Sequence, residues 1–285
     1  MSVFKIGVMV DSFRLPIADG VRKAREIGAH GMQVYVVDGE MRAENLNAAQ
    51  RRSFKQLVAD NGLEISALCG DLGGHGFQIA AENEEKIRRS KAIVDLAVDL
   101  DTQVVTTHIG VVPNNPNDPI FKNQLLVCQD IGAYAMERGV SFAIETGPET
   151  AEVLARFLEA VDCPAIGVNM DPANLVMVLN DDPVKAVYTL GKYIKHTHAK
   201  DGVQLKPCDP VQVYASFAEG GIEGLNIGEL FNEVPLGEGA VPWDKYLQAL
   251  RDVGFKGYLT IEREVGENPV KDIQAAVEFL KQKLA

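Results

Sequence analysis

Cysteine, positive charge and long apolar runs are all scarce in this chain, and each shortage removes a class of function. Its four cysteines, Cys69, Cys128, Cys163 and Cys208, stand far apart in 285 residues and form no C-x-x-C pair. That spacing speaks against a zinc knuckle or a disulfide scaffold and for buried, reduced thiols. Twenty-eight Lys and Arg face forty Asp and Glu, a formal net charge of -12, and no basic run exceeds Arg51-Arg52 or Arg88-Arg89. Such a balance opposes phosphate backbones and anionic membrane surfaces, so no nucleic acid and no membrane is expected as a partner, and a small substrate is. No apolar stretch approaches the roughly 20 residues that span a bilayer. The opening residues run directly into a strand-like segment, without the basic and apolar regions of a signal peptide, and a cytoplasmic protein is expected. The dinucleotide fingerprint G-x-G-x-x-G is missing after the first strand, where Gly7-Val8-Met9-Val10-Asp11-Ser12 stands instead.

What the chain does have is a regular alternation. Apolar and period-2 runs predict eight strands at about 4–10, 31–36, 64–69, 103–109, 140–145, 165–171, 193–199 and 256–262. Helical patterns separate them, at Ile17 to Ile27, Ala48 to Asn61, Glu82 to Asp99, Ile120 to Arg138, Thr150 to Val161, Pro183 to Gly191 and Trp243 to Val253, and a last one runs from Pro269 to Leu284. Strand then helix, eight times, is the connectivity of an α/β protein of the (β/α)8 TIM barrel type in one domain, 1–285, with a doubly wound open sheet as the runner-up. One interval is too long. From His198 to Glu262 is 64 residues, against 26 from Glu145 to Asp171, so an extended loop insertion is expected at about 200–240, after strand 7.

Four of the predicted strands end in a metal-ligand type of residue: Glu145, Asp171, His198 and Glu262. Because side chains alternate across a strand, each of the four shares a face with the smaller or polar residues and opposes the bulky apolar ones. In a barrel that face points to the axis, and the C-terminal strand ends carry the active site. Three inward carboxylates would repel one another, and a divalent ion relieves this; two Glu, one Asp and one His suit Mn, Mg, Co or Zn. Taken singly, Glu145 and Asp171 also read as helix caps, and His198 as a core histidine. His108 ends the fourth strand on the same inward parity and is assigned to substrate contact. His75, on the Gly-rich loop after strand 3, and Lys200, beside Asp201, are further candidates for the substrate, each with a solvated side chain as the alternative.

Ile144-Glu145-Thr146, Asp171-Pro172-Ala173-Asn174, His196-Thr197-His198-Ala199-Lys200-Asp201, Gly237-Glu238-Gly239 and Thr260-Ile261-Glu262, in this order, resemble the xylose isomerase-like barrel superfamily. The resemblance is to its sugar isomerase and epimerase branch, which includes ketose 3-epimerases and inosose-processing enzymes. It implies that Glu145, Asp171, His198 and Glu262 hold one divalent metal ion, that Glu145 and Glu262 also move a proton through an enediolate intermediate, and that His196 lies close to the substrate. Family members often form dimers or tetramers. Asn174 falls where the ketose epimerases have a substrate-binding His, and position 204 is Gln where they have Arg. The implied activity is a sugar isomerase or epimerase acting on a ketose. Dehydration of a keto-sugar or inosose is the alternative, and a non-catalytic, metal-stabilised binding protein the remote one. Endonucleases of the same superfamily use a zinc cluster with additional His ligands, which five histidines and an acidic surface do not match.

Overall fold

A computed structural model describes residues 3–285. Eight parallel strands close into a barrel: β1 (Lys5–Met9), β2 (Gly31–Tyr35), β3 (Glu64–Cys69), β4 (Val104–Thr107), β5 (Ser141–Glu145), β6 (Ile166–Met170), β7 (Ile194–Ala199) and, after two further strands, β10 (Tyr258–Ile261), which pairs with both β7 and β1. The runner-up, an open sheet, is thereby excluded, since no strand of the eight is left as an edge. The apolar halves of these strands, such as Ile6, Val8, Val34, Leu68, Phe142, Ile144 and Leu259, are buried and form one core. An outer ring covers that core: α1 (Ile17–Glu26), α2 (Ala48–Asp60), α3 (Asn83–Asp99), α4 (Pro119–Glu137), α5 (Ala151–Val161), α7 (Pro183–Leu190), α9 (Trp243–Asp252) and α10 (Pro269–Leu284). Five helices begin at Asx-Pro pairs, Asp118-Pro119, Asp171-Pro172, Asp182-Pro183, Asp209-Pro210 and Asn268-Pro269. The Asx side chain accepts free N–H groups of the first turn, and the proline has no N–H to leave unpaired.

The interior of the barrel is polar where it nears the catalytic end. Gln33, Thr106, Asn169 and Thr260 come from the second, fourth, sixth and eighth barrel strands and are fully buried. Alternate strands supplying one layer is the rule for this architecture. Gln33 Nε2 reaches across to Thr106 Oγ1 at 2.8 Å. The strand register slips between Met32 and Gln33, and again between Val168 and Asn169. Such irregularities re-aim a side chain next to a site, and here both precede an amide of this layer.

The long interval after β7 is ordered where an extended loop was expected. It carries β8 (Asp201–Gln204), α8 (Pro210–Glu219) and β9 (Phe231–Val234), the two strands pairing antiparallel. A one-turn α6 (Pro172–Asn174) and a π-helical stretch, Leu175–Leu179, follow β6 and supply Ala173, Met177 and Val178 to a second small core with Val213 of α8. Asp201 fastens this insertion to the barrel. Its carboxylate accepts from Gly202 N, Val241 N, Gly237 N and Trp243 Nε1 at 2.8–3.1 Å, so the Trp243 indole is a structural donor. Gly239 must be glycine, since a β-carbon there would lie 2.1 Å from Asp201 Oδ1.

Candidate metal centre

The ends of β5, β6, β7 and β10 bring Glu145, Asp171, His198 and Glu262 together, all buried, with one ligand atom from each within 4.8 Å of the others. His198 Nδ1 is the centre of the group, 3.5 Å from Glu145 Oε1, 3.5 Å from Asp171 Oδ2 and 3.3 Å from Glu262 Oε2. Each carboxylate is also held by donors outside the group. Asp171 Oδ1 caps α6 through Ala173 N and Asn174 N, while Glu145 accepts from Asn169 Nδ2 and Asn174 Nδ2, both at 3.0 Å. Glu262 Oε2 accepts from Lys200 Nζ at 3.1 Å. The cap role expected of Asp171 taken singly is real, and it uses only one of the two oxygens.

Two atoms test whether this set fits a cation. Asp171 Oδ2 and His198 Nδ1 are buried, point into the group and have no hydrogen-bond partner. Buried polar atoms are nearly always satisfied, and a divalent ion among three carboxylates and an imidazole satisfies both while removing the carboxylate repulsion. Burial lowers the basicity of His198, but Glu262 and Glu145 outweigh it and raise the imidazole well above its ordinary value. Those carboxylates call for positive charge at this point, which a metal ion supplies equally well. On its far side His198 Nε2 lies 3.1 Å from Gln33 Oε1 and 3.2 Å from Asn169 Nδ2; in the tautomer whose Nε2–H donates to Gln33, the Nδ1 lone pair is free to face the carboxylates.

The other predicted residues separate into layers. His196 lies one step deeper in the barrel, with Nε2 at 2.9 Å from Thr260 Oγ1 and 3.1 Å from Gln33 Oε1. Burial, then the neighbouring His198, pushes its pKa down to about 3, so it is a neutral imidazole. His108, 29% exposed in its side chain, faces the mouth: Nδ1 is 3.1 Å from Asp71 Oδ2 and Nε2 3.8 Å from Glu145 Oε1. Burial works against its charge, but Glu145 and then the bond to Asp71 raise it to about 10. Asn174 is spent on Glu145 and on Thr146 O. Lys200 is buried between Glu262 and Glu264, with Glu233 of β9 at 4.0 Å. His75 stands apart from the four, 3.5 Å from Glu219 of α8. Gln204 donates to Met177 O and Val178 O and serves the insertion.

Four residues at the site escaped the sequence reading. Gln33 carried a signal, a lone amide between Met32 and Val34 in a β-branched run, on the inward parity. Asp71, two residues past β3, is a strand-end carboxylate like Glu145, Asp171 and Glu262. Tyr214, on α8, and Glu149, in the β5–α5 loop, carried none.

A family model described as a xylose isomerase-like TIM barrel matches residues 21–283. The chain belongs to that family. A solved structure of a xylose isomerase domain protein from Planctomyces limnophilus superposes with a TM-score of 0.80 at 26% identity, covering 98% of this chain and 97% of the other. Among curated relatives, the 3-dehydroshikimate dehydratase of Bacillus anthracis is 24% identical over 79% of this chain and 75% of its own length. The fructoselysine 3-epimerase of Shigella flexneri is 21% identical over 87% and 86%. Two further curated relatives, of 28% and 23% identity, are matched over only 48% and 60% of their lengths. Among the described residues no helix is long and apolar enough to cross a membrane.

Within this xylose isomerase-like barrel, Glu149 is a buried acid outside the four. Oε2 accepts from Val112 N at 3.0 Å, and Oε1 has no partner. Burial pushes its pKa up to about 8, opposed by the Val112 N–H and the charge of His108. The folded protein therefore keeps a proton that the unfolded chain releases near the ordinary carboxylate value. Stability from this group is full at acid pH and is lost as pH rises from about 4.5 to about 8, at about 1.4 kcal/mol per unit of displacement. Glu149→Gln, which mimics the protonated acid, should melt within about 2 °C of the wild type at pH 5 and roughly 10–20 °C higher at pH 8.5, where the displacement is worth about 5 kcal/mol, at roughly 2–4 °C per kcal/mol. Parallel melting profiles for the two proteins across that range would refute the assignment.

Proposed function

We propose that the chain is a divalent-metal-dependent isomerase or epimerase of a ketose or related small carbohydrate, working by proton abstraction. The observation that carries this reading is that two glutamates, at the ends of β5 and β10, both approach His198 Nδ1, at 3.5 and 3.3 Å. Glu145, Asp171, His198 and Glu262 would hold the ion. When bound, it supplies positive charge beside a carbonyl and its neighbouring hydroxyl, which acidifies the adjacent C–H and stabilises the enediolate. One glutamate takes the proton from that carbon, and the other returns one to the opposite face. Asn169 and Asn174 hold Glu145 by its carboxylate oxygens, and Lys200 holds Glu262. Burial alone would raise Glu262, but the charges of His198 and then Lys200 bring it below the ordinary carboxylate value, which keeps it ionised as a proton acceptor.

Dehydration is the second reading, favoured by the likeness to the 3-dehydroshikimate dehydratase. It needs the same proton removal, followed by loss of a β-hydroxyl as water. Turnover in D2O tests the proposal. Across a panel of ketoses and inososes, the manganese-loaded protein should return an isomeric product with deuterium at the carbon next to the carbonyl. An unlabelled isomer would indicate hydride transfer and sink the proton mechanism; a product lighter by one water would decide for dehydration.

A further inference from the structure

Besides Glu233 of β9, the insertion brings the phenol of Tyr214, on α8, to the barrel mouth. Val213 and Ser216 of this helix are buried, Val213 against Ala173, Met177 and Val178, which follow Asp171 in the chain. Seated this way, α8 turns Tyr214 toward the metal-ligand set. The Tyr214 and His108 ring centroids are 6.0 Å apart. The hydroxyl stands over Gly147, whose φ is +144° and where a β-carbon would lie 2.4 Å from Oη and 2.7 Å from Asn174 Cβ. Gly147 is two residues past Glu145, and Asn174 donates to Glu145, so the phenol lies at the end of β5, beside the residues that hold the carboxylate proposed to move the proton.

Around that point most other polar groups are already committed, His108 Nε2, 3.8 Å from Glu145 Oε1, being an exception. The Asn174 amide N–H groups go to Glu145 and Thr146, Gln204 serves the π-helical stretch, His108 pairs with Asp71, and Lys200 pairs with Glu262 and Glu264. Among the described residues none hydrogen-bonds to the Tyr214 hydroxyl. A phenol with an apolar ring and a free O–H suits a polyhydroxylated ligand, the ring covering C–H groups and the hydroxyl reaching an oxygen. With Lys200 and His108 each paired to carboxylates, neither offers a free positive charge to a phosphate.

Resting on the carbohydrate reading above, we propose that Tyr214 is a substrate-binding residue, donating from Oη to an oxygen beyond the reacting carbons of an unphosphorylated sugar. The insertion then decides which sugars fit, because it carries the group that reads them.

The test is calorimetric titration of manganese-loaded wild type and Tyr214→Phe with ketoses, inososes and the phosphate esters of the same ketoses, followed by kinetics on any that react. Tyr214→Phe keeps the ring against His108 and removes only the hydroxyl. Expected is binding of an unphosphorylated sugar by the wild type and about tenfold weaker binding by the variant. KM should rise in step while kcat changes less than about threefold. Manganese content and melting temperature should be unchanged, which separates a substrate contact from a packing role. Equal affinity of the two proteins for a bound sugar would overturn the role of Tyr214 and leave the carbohydrate reading standing. Binding of the phosphate esters alone would overturn recognition of an uncharged sugar, and no binding of any of these compounds would overturn both.

Discussion

Glu145→Gln and Glu262→Gln should each lower kcat on a responsive ketose by about a thousandfold at saturating manganese. A positioned general base or acid contributes on the order of 10²–10⁴ in rate, and an amide can neither take nor return a proton. Neither change creates a cavity, because Gln keeps the shape of Glu. The two sites differ in what the amide meets. At position 145 the new NH2 faces Asn169 Nδ2 or Asn174 Nδ2, both donors, so the side chain is also misoriented. At position 262 the retained carbonyl oxygen can still accept from Lys200. The double variant should be about as inactive as either single one, since two groups acting in one proton relay do not contribute additively. A second expectation is independent of turnover: metal-free Glu262→Gln should melt below the metal-free wild type at neutral pH, because the charges of His198 and Lys200 hold the ionised carboxylate in the folded state and an amide forfeits both. Inductively coupled plasma analysis keeps metal loss apart from loss of chemistry. Either variant retaining more than a tenth of the wild-type kcat with metal bound would remove that glutamate from the proton relay.

The barrel was legible because its signals are local and repeated. Val, Ile and Leu runs such as Phe142-Ala143-Ile144 and Leu259-Thr260-Ile261 specify strands by themselves, and the period of two fixes which side chains face inward. The same parity placed Glu145, Asp171, His198 and Glu262 in one group. The interval 201–234 was not legible, because β8 is a four-residue strand of mixed polarity whose partner, β9, lies 27 residues further on at its nearest pairing. Pairing across a helix leaves no mark within either segment. Tyr214 was hidden for the same reason: its direction depends on how α8 rests on Met177 and Val178, a contact between distant parts of the chain. Gln33 shows a different limit. Its inward parity was readable, but its place beneath both histidines depends on the register slip beside Met32.

His198→Ala should abolish stoichiometric metal binding, while His196→Ala should bind metal normally and cost stability instead. The sequence offered the two histidines as near equivalents two residues apart on β7; the structure gives each nitrogen a different setting. His198 Nδ1 is the atom surrounded by the three carboxylates, and it has no other partner. Removing it leaves only carboxylates converging on the site, and affinity measured by a fluorescent chelator should fall by at least about a thousandfold, beyond the 10–100-fold typical of losing a group that merely supports a ligand. His196 is separated from the carboxylates by its own neighbour: Nε2 is engaged by Gln33 and Thr260, and its rings and those of His198 are 6.0 Å apart at 86°. Truncating it opens a buried cavity and leaves the Thr260 hydroxyl and Gln33 carbonyl each short of a partner. That combination costs about 2–4 kcal/mol, or roughly 4–16 °C in melting temperature for a domain of this size. Because Gln33 Oε1 also accepts from His198 Nε2, the His196 variant should tighten that bond or leave it as it is, and metal affinity should stay within about tenfold of the wild type. The reverse outcome, metal lost from His196→Ala and kept by His198→Ala, would move the metal one layer down the barrel and away from both glutamates.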